Sequence, residues 1–117
     1  IKKIKHMFKT NQNKGFTMTF KNGITISVQF GAGNYCERRN LIAPIQGEMQ
    51  MNTVESKTAE IAIWDNEGTW FSFGYDTVKG WVDADEVATW IILCTAATSL
   101  DDLKTRTVNC GMIEEVK

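Results

Sequence analysis

Residues 15 to 30, GFTMTFKNGITISVQF, constrain the fold more than any other stretch of the chain. Phe16, Met18 and Phe20 alternate with Thr17 and Thr19, and Ile24, Ile26, Val28 and Phe30 alternate with Thr25, Ser27 and Gln29. A period of two in residues this rich in β-branched and aromatic side chains predicts two half-buried antiparallel strands. Register then selects the turn. A two-residue Asn22-Gly23 turn would set Phe20 opposite Thr25 and Met18 opposite Ser27, apolar against polar. A three-residue Lys21-Asn22-Gly23 loop sets Phe20 opposite Ile24, Met18 opposite Ile26 and Phe16 opposite Val28. One slipped residue exchanges the faces of a strand, so burial selects the second register. Gly23 supplies the left-handed residue that closes such a loop.

TAEIAIWDNEGTWFSF repeats the plan around Asn66-Glu67-Gly68. The same register pairs Ile63 with Phe71 and Ile61 with Phe73, and sets Trp64 directly across from Trp70. The two tryptophans either pack beneath a helix or form an exposed aromatic patch for a ligand or partner.

After residue 82 the period changes. In DADEVATWIILCTAA, Asp83 is an N-cap with Glu86 three residues on, and Val87, Trp90, Ile91 and Cys94 recur at helical spacing. Ser99 caps a second short helix over Leu100 to Arg106, and residues 107 to 117 fit a terminal strand or a tail. Ile1, Ile4, Met7 and Phe8 fit either a short amphipathic helix or a strand, within a basic and mobile segment, residues 1–14. Residues 31 to 57 mostly lack a period, with a further strand expected near GEMQMNTV, residues 47 to 54.

The expected architecture is therefore α+β: an antiparallel β-sheet of four to six strands, two bulged hairpins among them, with one or two C-terminal helices packed on it. The 117 residues suffice for one core, so residues 1–117 are read as a single domain. Composition agrees: 43% of residues are hydrophobic and one is proline. The longest apolar run at the helix, Trp90 to Cys94, is far short of the roughly 20 residues of a membrane span. The three cysteines, Cys36, Cys94 and Cys110, are odd in number and widely spaced, against a disulfide framework and against zinc. Reduced thiols in a cytoplasm follow.

The net charge of −1 conceals an asymmetry. Residues 1 to 40 carry eight basic side chains against the single acid Glu37, whereas the remainder carries five basic and thirteen acidic ones. A basic end attracts an anion or an acidic protein. It equally fits the acidic half of the same chain or of another copy, hence a homo-oligomer. Direct nucleic-acid binding is disfavoured by the pI of about 5.8 and by the lack of a recognisable binding motif.

The loop GAGNYCERRN follows the first hairpin at once. It gives Gly-x-Gly after a strand, but Cys36 stands where a dinucleotide fingerprint requires Gly or Ala, and no Gly-Lys-Ser/Thr is present. The looser reading is a ligand-binding loop for an anionic small molecule such as a nucleotide. Backbone amides freed by the glycines and Asn34 would approach the anion, Tyr35 would stack on a base, and Arg38 or Arg39 would hold phosphate bidentately. The plainer reading is a strand-end bulge with Tyr35 in the core. Catalysis has little support. His6 is the only histidine, and a Cys36–His6 pair is one possible nucleophile–base combination. No metal-ligand cluster appears and no cofactor is expected.

FTMTFKNGITISVQFGAGNYC, followed by AEIAIWDNEGTWFSF and DTVKGWVDADEVATWI, resembles a group of small bacteriophage-encoded accessory proteins. These share a strand–Asn-Gly–strand unit ending in Gly-x-Gly-Asn-Tyr-Cys, and the resemblance covers residues 15 to 95. It implies a non-enzymatic binding protein acting in the host cytoplasm against a host defence or host process. One mechanism is sequestration of an anionic nucleotide signal. Another is direct inhibition of a host defence or nucleic-acid-processing protein through the acidic surface or the Trp64/Trp70 patch. A small nucleotide-processing enzyme is the remaining alternative.

Overall fold

The computed structural model describes residues 3–12, 14–37 and 55–114. Among them, five strands form one antiparallel sheet in simple sequence order: β1 (Met7–Thr10), β2 (Gly15–Thr19), β3 (Thr25–Gln29), β4 (Thr58–Trp64) and β5 (Val78–Asp83). Two helices follow, α1 (Ala84–Ala96) and α2 (Leu100–Asn109). The α+β architecture is the one expected. The strand expected near residues 47 to 54 lies outside the described residues.

The first hairpin takes the predicted register: Phe16 opposes Val28 and Met18 opposes Ile26. Phe20 and Ile24 close the loop through a 2.9 Å backbone hydrogen bond, and Gly23 has φ +89°. The N-terminal ambiguity resolves as a strand, since Met7–Thr10 pairs with β2 and forms the sheet edge.

The second hairpin is only half as expected. Trp64 and Trp70 do stand opposite each other, and the Phe71 amide donates to the Ile63 carbonyl at 2.8 Å. Beyond Phe71 the chain leaves the sheet, and Ile61 pairs with Lys79 of β5 instead of with Phe73. Aromatic packing accounts for the departure. Phe71 and Phe73 are both buried, edge-to-face with each other and with Trp90 of α1, at centroid distances of 5.1 to 6.1 Å.

Ala59, Ile61 and Ile63 of β4, Ile26 and Val28 of β3, and Val82 of β5 face α1 across the core. Asp83 caps α1 by accepting from the Glu86 amide, and Ser99 caps α2 by accepting from the Asp102 amide, both as expected. Trp90 is fully buried with its indole N–H donated to Glu86 at 3.0 Å. Leu103 and Thr107 of α2 are equally buried. The second helix is longer than expected and ends in a Schellman turn: Met112 N–H bonds Thr107 O, Gly111 N–H bonds Val108 O, and Gly111 has φ +78°. Residues 107 to 114 therefore form a helix end rather than a strand.

Candidate functional site

The sheet has one face under α1 and one that carries no described helix. Glu60 alternates with the buried Ala59 and Ile61, so its carboxylate projects from the helix-free face. The glycine loop folds onto that carboxylate. The Tyr35 amide donates to Glu60 Oε2 at 2.8 Å, and the Asn34 side-chain amide donates to Oε1 at 3.4 Å. Three other described amides of the loop are also hydrogen-bonded. The Gly31 amide donates to Asn34 Oδ1 at 2.9 Å, the Cys36 amide to Asn34 O at 2.8 Å, and the Glu37 amide to Thr58 Oγ1 at 2.8 Å. An internal carboxylate thus occupies the position that the sequence suggested for an external anion.

β5 supplies the other half of the site. The β4–β5 register shifts between Ala59 and Ile61, where Gly80 and Trp81 together oppose Glu60. Trp81 carries φ +52°, the left-handed region that a bulky residue seldom enters. The distortion turns its amide out of the ladder to donate to the Tyr35 carbonyl at 2.8 Å. The two rings lie 5.8 Å apart, tilted by 37°. Gly80 permits this approach, because a Cβ there would lie 2.6 Å from the Tyr35 Cβ. Tyr35 stays 40% exposed and Trp81 58% exposed. Tyr35 is therefore a surface ring rather than a core plug.

Trp64 and Trp70 form a second pair, with centroids 5.1 Å apart and Trp70 50% exposed. Trp64 shares the helix-free face with Glu60, four residues along β4, or about 13 Å at strand rise. These tryptophans do not pack beneath a helix. One aromatic pair lies toward each end of β4.

Of the residues proposed from sequence, Asn34 is a structural brace of the loop and Tyr35 a surface ring. Arg38 and Arg39 lie outside the described residues. Sequence reasoning missed Glu60, Gly80 and Trp81. The available signal was Gly-Trp interrupting a Val-rich run in VKGWV.

Cys36 and His6, the nucleophile–base pair weighed from sequence, do not come together. Cys36 is buried against the Gly31 carbonyl at the exit of β3, whereas His6 lies beside Phe20 and Lys21 at the opposite end of the sheet. Burial pushes the Cys94 thiol up to about 12. No cluster of metal-ligating side chains occurs among the described residues. No helix among them is long and apolar enough to cross a membrane.

Comparison of the chain with known protein families, with characterised proteins and with solved structures finds no match.

Proposed function

We propose that this chain is a non-enzymatic binding protein that engages a host protein through the aromatic pairs on its helix-free face. In the setting implied by the phage resemblance, that engagement counters a host defence or host process. The carrying observation is Trp81, a large apolar ring held in solvent on a left-handed backbone that costs of order 1–3 kcal/mol. Glu60, Gly80 and the Tyr35 carbonyl all support that posture. Aromatic rings presented on a braced scaffold suit a protein interface, where Trp and Tyr dominate binding energy.

A second reading, sequestration of an anionic nucleotide, is supported by the exposed Tyr35 and Trp81 rings, which can stack a base. Glu60 weighs against it, because its carboxylate already accepts from the Tyr35 amide and the Asn34 side chain.

Native mass spectrometry of the chain purified from its host tests both. A stoichiometric protein partner lost in Trp81→Gly supports the first reading. A nucleotide released on denaturation supports the second. A bare chain whose composition is unchanged in Trp81→Gly overturns both.

A further inference from the structure

The described helices cover only part of the sheet. A helix is about 10 Å across and strands lie about 4.8 Å apart, so one helix shields two to three strands. α1 packs on β3, β4 and β5, while α2 packs on α1. Neither described helix packs closely on β1 or β2.

That uncovered strip is apolar. Phe8 of β1 stands opposite Met18, which stands opposite the buried Ile26, and Phe8 is 74% exposed. Phe16, Met18 and Phe20 are only partly buried against the core. On α1, Val87, Ile91 and Thr95 recur every four residues along one flank. Two cavities lie between flank and strip. One, of about 450 Å³, is lined by Phe8, Met18, Phe20 and Thr95; the other, of about 390 Å³, by Phe16, Val28, Phe30 and Val87. The path from Phe16 to Phe20, or from Val87 to Thr95, is about 12–13 Å long.

Charge selects the occupant. His6 and Lys21 line the first cavity and no acid does. Lys57 and Glu55 stand at the second. The chain has no acidic residue before Glu37. A second copy presenting the same strip would bring lysines against lysines.

We infer that this groove docks one amphipathic helix of a protein partner, two to three turns long, with its apolar side between α1 and β1–β2 and acidic residues toward Lys21. The docked helix would sit beside α1 on the same face of the sheet. Pairing of a strand at the β1 edge is opposed by Lys5 and Lys9, charges of the kind that blunt sheet edges. The inference rests on the binding-protein reading but uses the face opposite Trp81, so the two fail separately.

The test uses the full chain and a fluorescent synthetic peptide of about 14 residues, with leucines at i, i+3, i+4 and i+7 and glutamates elsewhere. A twin with lysines replacing the glutamates is the control. Anisotropy should show the acidic peptide binding at least about tenfold more tightly than its twin, a difference of about 1.4 kcal/mol. Phe8→Asp and, independently, Ile91→Glu should each weaken binding about tenfold or more, whereas Trp81→Gly should leave it unchanged. Phe8→Asp should also keep the parent melting temperature, since Phe8 is largely exposed. Equal binding of the two peptides, or binding of neither, overturns the inference. So does a dimer in sedimentation that Phe8→Asp dissociates, because a second copy then covers the strip.

Discussion

Asn22, at the tip of the first hairpin, caps the C-terminus of α1 from 72 residues away: its side-chain amide donates to the Cys94 carbonyl at 2.7 Å. The same nitrogen donates to the Ala97 carbonyl at 2.8 Å, and its oxygen accepts from the Ile24 amide at 3.0 Å. One side chain thus shapes its own turn and satisfies two carbonyls that a helix end leaves without partners. Asn22→Ala should destabilise the chain by about 1–3 kcal/mol, read as a lowered urea midpoint. Asn22→Asp should be at least as damaging, since a carboxylate cannot donate and stands at the negative end of the helix dipole. An unchanged midpoint in both variants would remove Asn22 from this role.

Trp81→Gly separates display from support. Glycine relieves the left-handed backbone by about 1–2 kcal/mol, offsetting the lost ring contact with Tyr35, so stability should change by less than about 1 kcal/mol. Gly80→Ala should do the reverse, because its methyl would collide with the Tyr35 Cβ and push the glycine loop off β5. Thermal melts of the two variants, run side by side, check the contrast.

Glu60 holds the glycine loop to the sheet through two hydrogen bonds. Glu60→Ala should speed exchange of the Tyr35 amide by about tenfold or more, while amides at the centre of β3 keep parent protection. Hydrogen exchange resolved by residue measures it. Equal protection of Tyr35 in variant and parent would show that the loop is held by other contacts.

Hydrogen bonds from Arg106 and then from the Thr98 amide hold the Asp102 carboxyl below its ordinary value of 3.8. A carboxylate with a depressed folded-state pKa adds stability above its unfolded value and loses it as pH falls through the folded one. Acid titration should therefore show a loss of stability beginning near pH 4 and continuing below it, and Asp102→Asn should flatten that part of the profile. A parallel acid profile in parent and variant would contradict the assignment.

The thiols should differ sharply in reactivity. Cys94, fully buried with its thiol pushed up to about 12, and Cys36, 1% exposed, should resist iodoacetamide at pH 8 until the chain unfolds. Cys110 is exposed and should react in the native state. Intact-mass analysis should show one adduct before denaturation and three after it.

Elements with unbroken local patterns were legible in the chain itself. Alternation through Phe16–Phe30 determined the register of β2 and β3, because any slip would turn Met18 and Ile26 to the wrong face. Asp83 and Ser99 marked the helix starts, since an N-cap bonds amides only two or three residues away. β5 escaped notice because the bulge at Gly80 and Trp81 adds one residue and breaks the period of two. The Schellman end of α2 was missed although Gly111 marked it, since the apolar residues around it also suit a strand.

Long-range choices were decided only by the tertiary structure. Trp64 and Trp70 stand opposite each other on turn geometry alone, but whether a helix covers them depends on which face α1 selects. Phe71, Phe73 and Trp90 make that choice by packing together. Glu60 reads as an ordinary strand acid until the glycine loop folds back 25 residues to meet it. Local alternation and capping act within a few residues and so can be read from order alone. The covered face, the bulge that displays Trp81 and the carboxylate inside the glycine loop come from contacts between distant segments, which form only as the core closes.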